Sequence, residues 1–364
     1  MIELAMDKKV WVPWMRRAIQ LASLAEGRTS PNPLVGAVVL DSRGELVGEG
    51  FHSGAGRAHA EIEALSQAGE RAFGGTIVVT LEPCCHHGLT PPCTEALIKA
   101  GIRKVVIGME DPDQRVSGKG ISRLKDSGLV VINGILKKEC ESINREFSFR
   151  VRNGRPWGVL KWAMSLDGRI GLPNGASKWI TEEIARDTVH QIRSKCDAII
   201  VGGGTVRVDD PLLTSRGKTN IEPLRVVFSR SLNLPRSAKI WDTKTAKTLI
   251  AYGPKGNEKI FSELPEGPEK LLLNSDSPAE LLVELGKKGC NKILWECGPD
   301  LATSAIEENC VQELMVFVAP KILGGKSAMN PLASFGFESI NATYKLQHSH
   351  LERKGKDLLW RLVF

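Results

Sequence analysis

The triplet His59-Ala60-Glu61, followed by Pro83-Cys84 and Pro92-Cys93, constrains this chain more than any other feature. One imidazole and two thiolates form a zinc donor set that leaves the fourth tetrahedral position open. An open position separates a catalytic zinc site from a closed structural one. His59, Cys84 and Cys93 are therefore the expected metal ligands, one Zn2+ per chain. Glu61 is the expected catalytic carboxylate, able to take a proton from an attacking water and return it to a leaving amine. Two thiolates cancel the formal charge of the ion, so water there is acidified less than beside three neutral ligands and a nearby base is needed.

The same spacing dictates local structure. His59 and Glu61 are two residues apart, about 200° around a regular helix. They face one metal only if His59 stands at the helix start, before the backbone is helical. Cys93 follows Pro91-Pro92 and opens the next helix, whose positive end favours a thiolate. A closed structural site would instead recruit Cys85, His86 or His87 as fourth ligand. Adjacent side chains diverge, which argues against Cys85, and Glu61 has no task in a closed site.

His-x-Glu followed by Pro-Cys and Cys is the signature of zinc nucleobase deaminases. Those acting on nucleic acid usually read Pro-Cys-x-x-Cys, whereas eight residues separate Cys84 from Cys93 here. That segment, with Ser30-Pro31-Asn32-Pro33-Leu34-Val35-Gly36 upstream and Asp111-Pro112-Asp113 downstream, resembles the deaminase domain of the bifunctional pyrimidine deaminase/reductase family of riboflavin biosynthesis. The resemblance implies that Asn32, His52 and His86 approach the substrate. Relatives usually carry a basic residue where this chain has Leu89, so an expected contact to the substrate phosphate is missing there.

At 364 residues, the chain should make about two or three domains. Apolar residues at 14, 15, 18, 21, 22 and 25 have a helical period. Strands are expected over 34–40, 46–48, 76–80, 104–107 and 130–134, and helices over 59–67, 94–100 and 117–126. The helical stretch 137–150 is broken at Val151-Arg152-Asn153-Gly154-Arg155-Pro156, where the boundary falls. This gives a deaminase domain over 1–150 and a reductase domain over 155–364. Further strands are expected over 159–163, 198–201, 225–228, 248–251, 292–296, 314–318 and 358–364. Strands alternating with helices make both halves α/β.

The second half carries Lys161 to Ile170, Ser177-Lys178-Trp179-Ile180-Thr181, Val201-Gly202-Gly203-Gly204-Thr205-Val206 and Asp209 to Arg216. These resemble the reductase domain of the same family, which implies a dihydrofolate-reductase-like fold beside a cytidine-deaminase-like three-layer domain. Three glycines after a buried strand let backbone amides approach a dinucleotide pyrophosphate. Without Gly-x-Gly-x-x-Gly, a standard Rossmann domain is not expected. The resemblance implies a cofactor site lined by Ala163, Trp179, Thr205 and Asp209 and by Gly298, Pro299, Asp300, Leu301, Ala302, Thr303 and Ser304. It implies a substrate site lined by Ser177, Arg193, Leu213, Arg216 and Glu296. Lys161, a lysine in an apolar strand, is read as functional, and Lys161 and Asp209 are the catalytic candidates. Ser229 and Arg230 follow the strand 225–228, as Ser-Arg does in many dihydrofolate reductases, and suit the 2′-phosphate of NADPH.

The net charge of +7 and pI near 8.9 fit an enzyme whose substrates carry phosphate. There is no dense Lys/Arg block, and only 2 Tyr are present, so no nucleic-acid partner is expected. No apolar run spans a bilayer, and residues 1–10 lack signal-peptide character. A cytoplasmic protein without a membrane partner is expected, assembled as a homodimer or higher homo-oligomer through the reductase domain. Its 8 cysteines are read as two ligands and reduced thiols. The alternatives are a nucleic-acid base deaminase, and a deaminase whose second domain is only a dimerisation scaffold.

Overall fold

The computed structural model describes residues 8–86, 91–256 and 266–364. His87 and Leu89 lie outside these described residues, as do residues 1–7 of the N-terminal segment. The chain divides into two compact units, Met1–Asn153 and Gly154–Phe364.

The first unit is built on five strands: β1 (Gly36–Leu40), β2 (Leu46–Phe51), β3 (Thr76–Leu81), β4 (Lys104–Met109) and β5 (Val130–Asn133), in the order β2-β1-β3-β4-β5. β1 runs antiparallel to β2 and β3, while β3, β4 and β5 are parallel. β1 and nearly all of β3 and β4 are buried, which is why these strands read as unbroken apolar runs. Two helices, Val12–Ser23 and Ala60–Ala68, sit on bare stretches of strand. A Cβ on Gly50 would come 2.5 Å from the Ala60 carbonyl oxygen, and one on Gly48 would come 2.2 Å from that of Ala64. Only glycine admits this approach, and it seats the start of Ala60–Ala68 directly over β2. His59 caps that helix with extended backbone (φ −72°, ψ 158°), the geometry that the two-residue spacing to Glu61 requires.

The expected break at residues 151–153 is not there. Helix Arg145–Asn153 runs through it, and Gly154 (φ 69°) supplies the left-handed residue that ends it.

The second unit is a nine-stranded sheet. Its strands are β6 (Trp157–Ser165), β7 (Ala198–Gly202), β8 (Leu224–Phe228), β9 (Thr248–Tyr252), β10 (Glu269–Leu272), β11 (Lys292–Trp295), β12 (Glu313–Ala319), β13 (His348–Lys354) and β14 (Asp357–Val363). The order is β10-β9-β8-β7-β11-β6-β12-β14-β13. It is parallel from β10 to β12, and the hairpin β13–β14 adds antiparallel to β12. Alternate residues feed two cores: Val159, Ile199, Val227 and Leu294 join one, Leu160, Ile200, Val226 and Ile293 the other. Two strands were not expected from sequence, β10 and β13. Both are edges, rich in charge and exposed side chains, and so carry no buried-run pattern. No helix among the described residues is long and apolar enough to cross a membrane.

Candidate active sites

In the first unit, the turn after β3 and two helix starts bring His59, Cys84 and Cys93 together. Their donor atoms all lie within 4.8 Å of one another. His59 Nδ1 is 3.2 Å from Cys93 Sγ and 3.6 Å from Cys84 Sγ. Tetrahedral zinc with bonds of about 2.0–2.3 Å needs donors spaced in this range, so the three residues fit the ion. Among the described residues, neither Cys85 nor His86 joins the group, as a closed site would require.

The helix N-terminus acts differently from expectation. Cys93 does open helix Cys93–Lys99, but its backbone N–H donates to Cys84 Sγ at 3.3 Å. The Cys93 thiol, this N–H and His59 hold the Cys84 thiol down at about 4, against the effect of burial. Cys93 is pushed up by its hydrogen bond to Cys84 and by burial. Glu61 is only 3% exposed. Burial first, then the charge of Cys84, raises its carboxyl to about 7, the range suited to proton transfer near neutral pH.

Asn32 and His52 stand beside this group. Asn32 Nδ2 is 3.0 Å from His52 Nε2, and His52 Nδ1 is 3.0 Å from the Ala58 carbonyl oxygen. Nδ1–H donates to the carbonyl, which leaves Nε2 to accept from the Asn32 amide. The His52 and His59 rings meet edge to face at 5.6 Å. His86 is exposed and lines a small recess with Cys84, Cys85 and Asp111. Two supporting residues escaped the sequence reading. The buried Asn144 amide brackets Leu34, accepting from its N–H at 2.8 Å and donating to its carbonyl at 2.9 Å, which fixes the strand entry next to Asn32. Buried Glu82 accepts from the backbone N–H groups of Asp111, Gly118 and Ile121. Asn144 belongs to no short-range motif, whereas Glu82 directly precedes Pro83-Cys84.

In the second unit a cavity of about 1030 Å³ opens at the carboxyl ends of β7, β8 and β11, where open α/β sheets bind ligands. It is lined by Lys161, Ala163, Trp179, Thr205, Asp209, Ser229 and Arg230, by Ser177, Arg193, Leu213, Arg216 and Glu296, and by Gly298, Pro299, Asp300, Leu301 and Ser304. Ala302 and Thr303 do not line it. Both are buried on the inner side of helix Pro299–Glu307, and Thr303 Oγ1 accepts from the Ala333 N–H. Their place as cofactor-lining side chains is corrected on that ground. Arg186, Arg207 and Lys239 also line the cavity and were not singled out in the sequence.

Two glycines shape the floor of this cavity. A Cβ on Gly203 would lie 2.9 Å from Ser229 Oγ, while one on Gly298 would meet nothing within 4 Å. Gly298 caps helix Pro299–Glu307, whose free N–H groups can receive phosphate. The residues present therefore fit a nucleotide cofactor. Arg193 grips Glu296 through two bonds, Nε to Oε1 at 2.6 Å and Nη2 to Oε2 at 3.0 Å. Burial opposes ionisation of Glu296, but the charge and hydrogen bonds of Arg193 outweigh it and hold the carboxyl at about 2. Burial pushes Lys161 below the ordinary lysine value, with Glu296 opposing. Ser177 Oγ donates to Asp209 Oδ1 at 3.2 Å.

Comparison with known proteins decides the family. The cytidine and deoxycytidylate deaminase zinc-binding region matches residues 11–109, and the RibD C-terminal domain matches residues 156–360. The riboflavin biosynthesis protein RibD of Synechocystis is 47% identical, over 95% of this chain and 94% of its own. The chain belongs to the RibD family. The RibD of Escherichia coli is 37% identical over 96% of this chain and 98% of its own. The crystal structure of a Thermotoga maritima diaminohydroxyphosphoribosylaminopyrimidine deaminase/5-amino-6-(5-phosphoribosylamino)uracil reductase superimposes with a TM-score of 0.88 at 34% identity, over 98% of this chain and 99% of that one. This RibD family member is thus a bifunctional deaminase and reductase of riboflavin biosynthesis. It combines a cytidine-deaminase-like zinc-binding domain with a dihydrofolate-reductase-like domain.

Proposed function

We propose that the first unit hydrolyses the ring amine of 2,5-diamino-6-(5-phosphoribosylamino)pyrimidin-4(3H)-one. The second would then reduce the ribosyl group of 5-amino-6-(5-phosphoribosylamino)uracil to ribityl with NADPH. The observation that carries the reading is the buried Glu61 beside His59, Cys84 and Cys93, on a chain that also holds a nucleotide-sized cavity. His59, Cys84 and Cys93 would hold the zinc, which when bound would supply the Lewis acidity that makes water nucleophilic at neutral pH. Glu61 takes the proton of the attacking water and passes it to the leaving amine. Asn32 and the neutral His52 orient the pyrimidine, and His86 approaches it from the neighbouring recess.

In the second unit, NADPH when bound would supply the hydride, with the ring-opened sugar presenting C1′ as an imine. Lys161 and Asp209 polarise and protonate that imine, with Asp209 steadied by Ser177. Ala163, Trp179 and Thr205 border the cofactor, and Leu213, Arg216 and the Arg193–Glu296 pair border the substrate. A cytoplasmic setting belongs to the same reading. So does self-association through the second unit, supported by the exposed Leu351, Leu358 and Trp360 of the β13–β14 hairpin. Release of ammonia from the diaminopyrimidinone phosphate without nicotinamide, followed by NADPH oxidation on the product, tests the two halves. A zinc-loaded chain that consumes neither compound overturns the reading.

Cofactor choice rests on Ser229 and Arg230. Both line the cavity just past β8, with Ser229 buried and Arg230 exposed. A guanidinium there grips the 2′-phosphate, and a charge-assisted contact contributes about 1.5–3 kcal/mol, or about tenfold to a hundredfold in affinity. Arg230→Ala should weaken NADPH binding by that factor and leave NADH binding nearly unchanged. An unaltered ratio of the two dissociation constants would mean that the 2′-phosphate is read elsewhere.

A further inference from the structure

The loop from Asp210 to Arg216 borders the reductase cavity and is unusually constrained. Asp210 (φ 43°), Leu213 (φ 53°) and Arg216 (φ 53°) all adopt left-handed backbone. Non-glycine residues keep such conformations only where the surroundings over-determine them. Three side chains do so here. Arg193 Nη1 donates to the Thr214 carbonyl at 3.1 Å. Arg225, wholly buried, donates to the Leu212 carbonyl at 3.3 Å and to those of Asp242 and Ala246 at 2.8 and 2.6 Å. Glu222 takes both donors of Ser215: Oε2 accepts from the backbone N–H at 2.6 Å and Oε1 from Oγ at 2.7 Å.

Ser215 is itself wholly buried, so without Glu222 its two donors would be left without partners, which is costly. The residue that follows is Arg216. It is exposed and lines the cavity, and among the described residues no hydrogen bond or ion pair engages its guanidinium. A cation presented in this way is free to take a bidentate grip on phosphate. Glu222 does not line the cavity, so it acts through the loop. We propose that Glu222 is a positioning residue for reduction: by clamping Ser215 it fixes the left-handed turn at Arg216 and aims that guanidinium at the substrate's phosphate. The inference rests on the reading of Arg216 as a substrate contact.

The test compares the full zinc-loaded chain with Arg216→Ala, Glu222→Ala, Glu222→Gln and the double variant Arg216→Ala/Glu222→Ala. Readouts are KM and kcat for 5-amino-6-(5-phosphoribosylamino)uracil and the NADPH dissociation constant by fluorescence. Arg216→Ala and Glu222→Ala should each raise KM by about tenfold or more. Both kcat and NADPH binding should stay within about threefold. The double variant should be no worse than Arg216→Ala alone, because one effect runs through the other. Glu222→Gln keeps an acceptor for the N–H and should restore most of the affinity. Additive effects, or a Gln variant as impaired as the Ala variant, would overturn the clamp. If Glu222→Ala no longer binds NADPH, Ser215→Ala carries the test, with a rise of about threefold to tenfold in KM expected for the loss of one bond and an unchanged KM overturning the proposal. An unaltered KM in Arg216→Ala would sink the substrate-contact reading itself. An impaired Arg216→Ala beside an unimpaired Glu222→Ala would sink the clamp alone.

Discussion

Glu61→Ala is expected to keep one zinc per chain and to lower deamination by about 10²–10⁴-fold, the usual worth of a placed general acid–base group. The separation of the two effects follows from the geometry. The metal-binding group consists of His59, Cys84 and Cys93 without Glu61, so truncating the carboxylate removes no donor. It does remove the buried proton carrier whose carboxyl is raised to about 7. Metal analysis of the purified variant beside an ammonia assay reads both. Loss of zinc together with Glu61 would make the carboxylate a ligand and the role assigned to it wrong. Undiminished deamination would place the base elsewhere.

Lys161→Ala and Asp209→Ala should give the reverse pattern, with deamination kept and reduction lowered by about a hundredfold or more. Both residues line the cavity of the second unit, whereas the metal-binding group and Glu61 belong to the first. Lys161 is held below its ordinary value chiefly by burial, which suits a group that donates a proton rather than one that only carries charge. Circular dichroism and thermal melting of the same preparations show whether the second unit is still folded. Equal loss of both activities in a folded variant would argue against two independent sites, and full reduction would leave the two groups without the part given to them.

The deaminase centre was legible because its chemistry is written in short spacings. Two residues from His59 to Glu61 required an extended cap, and Pro91-Pro92 ahead of Cys93 announced a helix start; both stand so in the structure. The same spacing could not say which sulfur the helix N–H would serve, since that depends on how the turn after β3 folds back. The inward turn of Ala302 and Thr303 was legible in principle: with Ala305 and Ile306 they form the buried stripe of helix Pro299–Glu307 at helical spacing. The supports were out of reach. Asn144 lies 110 positions from the Leu34 backbone it brackets, and a lone Asn or Glu has no periodicity to betray it. β10 and β13 escaped for the physical reason that edge strands bury too little to show alternation.

The measurement closest to the central claim is the order of products formed by the zinc-loaded full chain from 2,5-diamino-6-(5-phosphoribosylamino)pyrimidin-4(3H)-one. Without NADPH, mass spectrometry should find only the deaminated ribosylamino uracil. With NADPH, the ribityl product should follow, and Glu61→Ala should block both unless the deaminated compound is supplied. Reduction of the diamino compound by Glu61→Ala at the wild-type rate, or no ribityl product with NADPH present, would contradict the account.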